Sequence, residues 1–176
     1  MKSSYATPRN SGRARVSTIL RADHQPEVIL AGRRTNNRMG EFVAEKLVKM
    51  LLQADLQVKG ARVAILGMTF KENVSDLRNS RVPDIVRGLV SFGIHPLVHD
   101  PLVEPAAALA EHGITLSDPE ALTDLDGLIL AVPHGQMLAG GPSALLGMVR
   151  PGGVFIDVKS VIPMGAIPAD VNSWSL

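Results

Sequence analysis

The sequence has no cysteine. A disulfide framework, a thiolate zinc site and a cysteine nucleophile are therefore excluded for this chain. Aromatic residues make up only 3%, so a core has to be built from Val, Ile, Leu, Met and Ala. Aliphatic richness of this kind suits strands buried on both faces of a parallel sheet. An excess of one charge is lacking too: 18 Lys and Arg stand against 17 Asp and Glu, a formal charge of +1. Such a balance leaves no electrostatic footprint for nucleic acid or for an anionic membrane. No apolar run approaches the ~20 residues of a membrane-spanning helix. The polar, basic N-terminus is not followed by the apolar stretch of a signal peptide. The expectation is a soluble, cytoplasmic protein with neither nucleic acid nor membrane as partner.

A length of 176 residues suits one domain with some additional chain. Residues 1–25, rich in Ser, Arg, Gly and Asn and without a sustained period, predict a disordered extension, with a basic interaction arm as the weaker reading. In residues 26–57 an apolar run at 28–30 and a polar stretch at 32–38 precede a helical pattern. From Met39 onward, Val43, Leu47, Met50, Leu51 and Ala54 recur at helical spacing. This predicts a long linker helix with one apolar face, to be covered within the chain or across a dimer. A homo-oligomer is expected on that ground.

Residues 58–165 alternate strands and helices. Apolar runs at 62–68, 95–101, 114–116, 126–133 and 154–160 predict five strands. Between the first two, Val82, Ile85, Val86, Leu89 and Val90 fall at amphipathic helical spacing, and Gly93 stands where a helix end calls for positive φ. A helix over 104–112 ends at Gly113, a helical turn starts at Asp118-Pro119, and 136–148 is helical in part around Gly140, Gly141 and Pro142. Pro151-Gly152-Gly153 reads as a turn, and the tail at 166–176 carries no clear signal. Alternation of this kind predicts an α/β, Rossmann-like parallel sheet flanked by helices, order 3-2-1-4-5.

In such sheets ligands bind beyond the carboxyl ends of the strands, where the strand order reverses. The loop after the first strand, 67–80, has one glycine and is neither a dinucleotide fingerprint nor a P-loop. It offers Lys71 and Arg78 as cations, together with the amino end of the next helix, where phosphate is favoured. The competing reading is a solvated loop in which Asp76 pairs with Arg78 and Ser80 caps the helix. Lys159, after the fifth strand, shares the rim with Lys71. His134, after the fourth, is a candidate acid, base or hydrogen-bonding group, more often structural. Asp100-Pro101, after the second strand, suits a cap, an acceptor for a ribose hydroxyl or, equally, a plain turn. His24, His95, His99, His112 and His134 form no metal-ligand constellation. Residue chemistry alone thus reaches a phosphorylated or otherwise anionic small molecule.

The run 67–80 with Phe70-Lys71 and Asp76-Leu77-Arg78, then His99-Asp100-Pro101, Ala131-Val132-Pro133-His134 and Asp157-Val158-Lys159-Ser160, resembles the C-terminal domain of the UDP-glucose/GDP-mannose dehydrogenase family. Residues 28–51, with Asn36 and Met39, resemble the end of that family's central domain and the helix leading out of it. The resemblance implies NAD-dependent oxidation of the C6 alcohol of a UDP-sugar to a carboxylate. It implies that Phe70, Lys71 and Lys159 contact the sugar nucleotide and that Arg78 reaches NAD held by another domain. The Asp-Val-Lys-Ser version is more similar to bacterial enzymes of UDP-N-acetylhexosamines or their uronates. The family's NAD-binding domain and the segment with its nucleophilic cysteine have no counterpart here. A chain inactive by itself is therefore expected, as an expressed fragment, a truncated gene product or half of a split protein. A non-catalytic dimerisation or regulatory module is the alternative.

Overall fold

The structure is a computed structural model that describes residues 25–176, with side chains from Met39 onward. The expectation for 1–25 falls outside the described residues, apart from Gln25, where the first helix starts. That helix, α1 (Gln25–Gln53), is continuous through the polar stretch at 32–38. Its side chains Val43, Ala44, Leu47, Val48, Met50 and Leu51 are all buried within the chain. Full burial of a Leu such as Leu47 or Leu51 contributes roughly 1.5–3 kcal/mol. The described part of α1 is therefore a core element, and the uncovered apolar face behind the expected homo-oligomer is largely filled inside the chain. Among the described large apolar side chains of α1, only Phe42 and Leu52 stay substantially exposed.

The chain leaves α1 through Asp55 in the left-handed region and enters β1 (Val63–Leu66). After it come α2 (Val82–Ser91), β2 (Leu97–His99), α3 (Pro105–His112) and β3 (Leu125–Leu130). The two short helices α4 (Gly135–Leu138) and α5 (Gly141–Leu146) precede β4 (Val149–Asp157) and β5 (Asn172–Ser175). The sheet is wholly parallel, in the order β2-β1-β3-β4-β5. Alternate residues of each strand face opposite layers. Val63, Ile65, Ile129, Val154 and Ile156 pack with α1 and α2. Ala64, Leu66, Leu128, Leu130 and Phe155 pack with Leu122, Leu145, Leu146 and Val171 on the other side. Helix α1 lies close on α2 because small residues meet there: a Cβ on Gly40 would fall 2.4 Å from Asp84 Cβ, and one on Gly88 2.7 Å from Ala44 Cβ.

This is the expected α/β architecture and strand order, with three differences. The third predicted strand, 114–116, is only an isolated parallel bridge, Val98 to Leu116, at the β2 edge. Pro151-Gly152-Gly153 is not a turn between elements but a bulge inside β4. The register jumps from Leu125 opposite Val149 to Gly127 opposite Val154, with Gly152 at φ +78°. The tail adds β5 as a new edge strand, pairing Ile156 with Trp174. Gly93 and Gly113 do take positive φ after α2 and α3.

Candidate functional site

The order reverses between β1 and β3, so the chain beyond Leu66 and Leu130 frames the site. The two segments touch. Gly67 has φ +84°, and a Cβ there would lie 2.3 Å from the Val132 carbonyl oxygen. The one glycine of this loop thus serves contact between strand ends and does not form a cradle for a pyrophosphate. Above this contact lies a cleft of about 520 Å³, bounded by α1 at Gly40 and Val43, by Thr69 and Phe70, by Arg81 at the start of α2, and by Val158 and Lys159 after β4.

Phe70 is 54% exposed and lines this cleft with Lys159. Lys159 Nζ stands 3.7 Å from Glu72 Oε1, so the cation from β4 and the loop after β1 are in ionic contact. Lys71 is exposed on the same loop, next to Phe70 but outside the cleft lining. Arg78 is turned to its own loop. Its Nε donates to Asp76 Oδ1 at 2.9 Å and its Nη2 to Asp76 Oδ2 at 3.0 Å. The guanidinium holds the Asp76 carboxyl below the usual carboxylate range, chiefly through the side-chain hydrogen bond, and the carboxylate raises Arg78 in return. Arg81, which the sequence reading did not single out, joins the cleft and pairs with Asp84 at 3.7 Å. Its position directly before α2, beside the cationic loop, was the available signal.

The amino end of α2 differs from the expected anion site. Ser80 Oγ accepts the Val82 N–H at 3.2 Å, Pro83 has no N–H, and Asp84 and Ile85 both donate to the Arg81 carbonyl. With those donors taken, attraction for an anion rests on side-chain cations, not on backbone N–H groups.

Below the cleft lies a buried polar cluster. His134 is 0% exposed, and Thr69 and Asp100 are buried beside it. Asp100 Oδ2 accepts the N–H groups of Met68 at 2.6 Å and Thr69 at 3.2 Å, and Oδ1 accepts that of Leu102 at 2.9 Å. Asp100 is therefore a cap occupied by its own chain. At the end of β4, Asp157 likewise accepts from the N–H groups of Lys159 and Ile162, fixing the turn that carries Lys159. Among the described residues no group of His, Asp and Glu is arranged to hold a metal ion, and no helix is long and apolar enough to cross a membrane.

A sequence profile described as "UDP-glucose/GDP-mannose dehydrogenase family, UDP binding domain" matches residues 64–164. The chain is 42% identical over 139 residues to a UDP-N-acetyl-D-glucosamine 6-dehydrogenase of Pseudomonas aeruginosa, covering 79% of this chain and 33% of that protein. It is 36% identical over 153 residues to Protein CapL of Staphylococcus aureus, covering 87% of this chain and 36% of the other. The chain thus spans about a third of the length of these curated relatives. In fold it is similar to a UDP-D-ManNAc dehydrogenase from Pyrococcus horikoshii, with a TM-score of 0.67 and 21% identity over 87% of this chain and 34% of that one.

Proposed function

The chain belongs to the UDP-glucose/GDP-mannose dehydrogenase family, and from that premise we propose that it binds a UDP-sugar as the nucleotide-sugar-binding part of an NAD-dependent 6-dehydrogenase. One observation carries the reading: Phe70 from the loop after β1 and Lys159 from the end of β4 line a single cleft over the switch point. An aromatic face and an ammonium group at such a rim suit a base or sugar ring joined to a diphosphate. In this reading Lys71 adds a second cation for the diphosphate. Arg78 turns toward NAD once its pair with Asp76 gives way. The name of the Pseudomonas relative, and the Asp157-Val158-Lys159-Ser160 ending, favour a UDP-N-acetylhexosamine or its uronate over UDP-glucose.

Oxidation of an alcohol to a carboxylate through a thiohemiacetal requires a thiol, and this sequence has none. In this reading, with NAD held by another domain and no thiol to carry the aldehyde on to the acid, the chain by itself is a binding unit: incubated with NAD and a UDP-sugar, it forms no NADH. Steady NADH production by the purified polypeptide would overturn that statement.

Calorimetric titration of the 176-residue chain with UDP, a UDP-N-acetylhexosamine and NAD tests the reading. Binding of the first two with little affinity for NAD supports it. Binding of none of them turns the assignment to a non-catalytic module, and binding of NAD alone to a dinucleotide binder. Homo-oligomerisation, for which Phe42 and Leu52 are exposed apolar residues in the described part of α1, is read from light scattering on the same sample.

A further inference from the structure

We propose that His134 is a positioning residue: held as its Nε2–H tautomer by Asp100, it locks the loop that presents Phe70 and Lys71. The inference rests on the reading of that loop as part of a nucleotide site. It does not place His134 in contact with any ligand.

The tautomer follows from two independent contacts. His134 Nδ1 accepts the backbone N–H of Asn73 at 2.9 Å, so Nδ1 carries no proton. The Thr69 hydroxyl gives its only proton to the Lys71 carbonyl at 3.0 Å, so toward His134 Nε2, 3.2 Å away, its oxygen accepts. Both require the proton on Nε2, where Asp100 Oδ2 also accepts at 3.0 Å.

What His134 holds is the loop itself. Asn73 lies at φ +59°, a left-handed conformation that asparagine tolerates better than most residues. It is tied at both ends to the segment after β3: its N–H goes to His134 Nδ1, and its Oδ1 accepts from the Gly135 N–H at 2.9 Å. Thr69 and Lys71 are joined through the Thr69 hydroxyl, and the Phe70 N–H donates to the Asp76 carbonyl at 2.8 Å. Phe70 and Lys71 thus stand on a stretch anchored at Thr69 on one side and Asn73 on the other, and His134 contacts both anchors.

Removing the Asn73 anchor lets the loop sample other conformations. Affinity falls by the fraction of time in which the presenting conformation survives. Two substitutions separate the two sides of the ring by stereochemistry. The amide of asparagine hangs from Cγ, as Nδ1 does, and that of glutamine from Cδ, where Nε2 is attached. His134→Asn can therefore keep an acceptor for Asn73, and His134→Gln can keep a donor for Asp100 while losing Asn73.

The experiment uses the full chain, with amide hydrogen exchange at Asn73, ¹⁵N shifts of the His134 ring, and UDP affinity. We expect the parent ring to report a protonated Nε2 and the Asn73 amide to be protected. The His134→Gln variant loses that protection and weakens UDP binding by about tenfold, the size expected for one lost bond to a buried group. The His134→Asn variant restores most of both. Unchanged protection and affinity in His134→Gln overturn the inference, as does lost protection with unchanged affinity, because the loop then needs no lock. A parent that fails to bind UDP strikes the reading of the site instead, and exchange at Asn73 still decides whether the lock exists.

Discussion

Asp76 grips Arg78 at two points, Oδ1 to Nε at 2.9 Å and Oδ2 to Nη2 at 3.0 Å, and also accepts the Arg78 backbone N–H at 3.0 Å. The pair closes a two-residue ring that keeps the guanidinium on its own loop. Because the hydrogen bonds lower the Asp76 carboxyl in the folded chain, the contribution of the pair is complete above the ordinary aspartate value of ~3.9. It is lost as pH falls through the lowered folded value. A ¹³C-carboxyl titration should show Asp76 protonating below that range, and Arg78→Ala should return it to the ordinary range. Added salt should weaken the effect, since both groups lie near solvent. An Asp76 that titrates normally in the parent would refute the pairing.

Lys159 meets a competitor at the cleft in Glu72, 3.7 Å from its ammonium. A phosphate that engages Lys159 has to displace that carboxylate, so Glu72→Gln should raise UDP affinity. Exposed ion pairs contribute up to about 1 kcal/mol, which sets the gain at roughly fivefold or less. A loss of affinity in this variant would show that Glu72 supports the site and does not compete for it.

Charge reversal at Lys71 is the sharper test of the loop. Lys71→Glu puts a carboxylate beside Phe70, where a diphosphate is expected, and should abolish calorimetric binding of UDP. The lysine is exposed, so the fold should persist and the urea midpoint should move little. Parental affinity in Lys71→Glu means that the nucleotide sits elsewhere.

The parts of this fold that were legible in sequence are those that burial dictates. The runs Val63–Leu66 and Leu125–Leu130 are covered on both faces and read as almost unbroken apolar stretches. The last strand was illegible because an edge strand needs no such run. Asn172–Ser175 is Asn-Ser-Trp-Ser, and it is held by pairing with β4 and by Trp174 packing edge-on against Phe42 at 5.8 Å. At the site, Lys159 could be read from a strand end, whereas Arg81, which lines the cleft, was not singled out and Lys71 lies outside the lining. Which charges pair could not be read, because that depends on how two loops rotate about the switch point. The contacts of His134 with Thr69 and Asn73 join residues 65 and 61 positions apart. No local pattern carries them.

Gly67 is where that switch point is most exposed to mutation. Its φ of +84° is one that only glycine adopts without strain, and an added Cβ would meet the Val132 carbonyl oxygen at 2.3 Å and Val132 Cβ at 2.6 Å. Neither neighbour yields easily, since Val132 lies two residues past the end of β3 and its N–H donates to the Leu66 carbonyl at 3.1 Å. Gly67 itself is tied to β2, donating to the His99 carbonyl at 2.9 Å. Gly67→Ala must therefore part the ends of β1 and β3, and overpacking together with left-handed strain sets the cost at about 3 kcal/mol. Gly165→Ala is the control: nothing lies within 4 Å of a Cβ there, so the change should stay within ~0.5 kcal/mol. Urea unfolding of both variants decides the matter. If Gly67→Ala unfolds as late as the control, the strand ends are not in the contact described, and the cleft above them loses its floor.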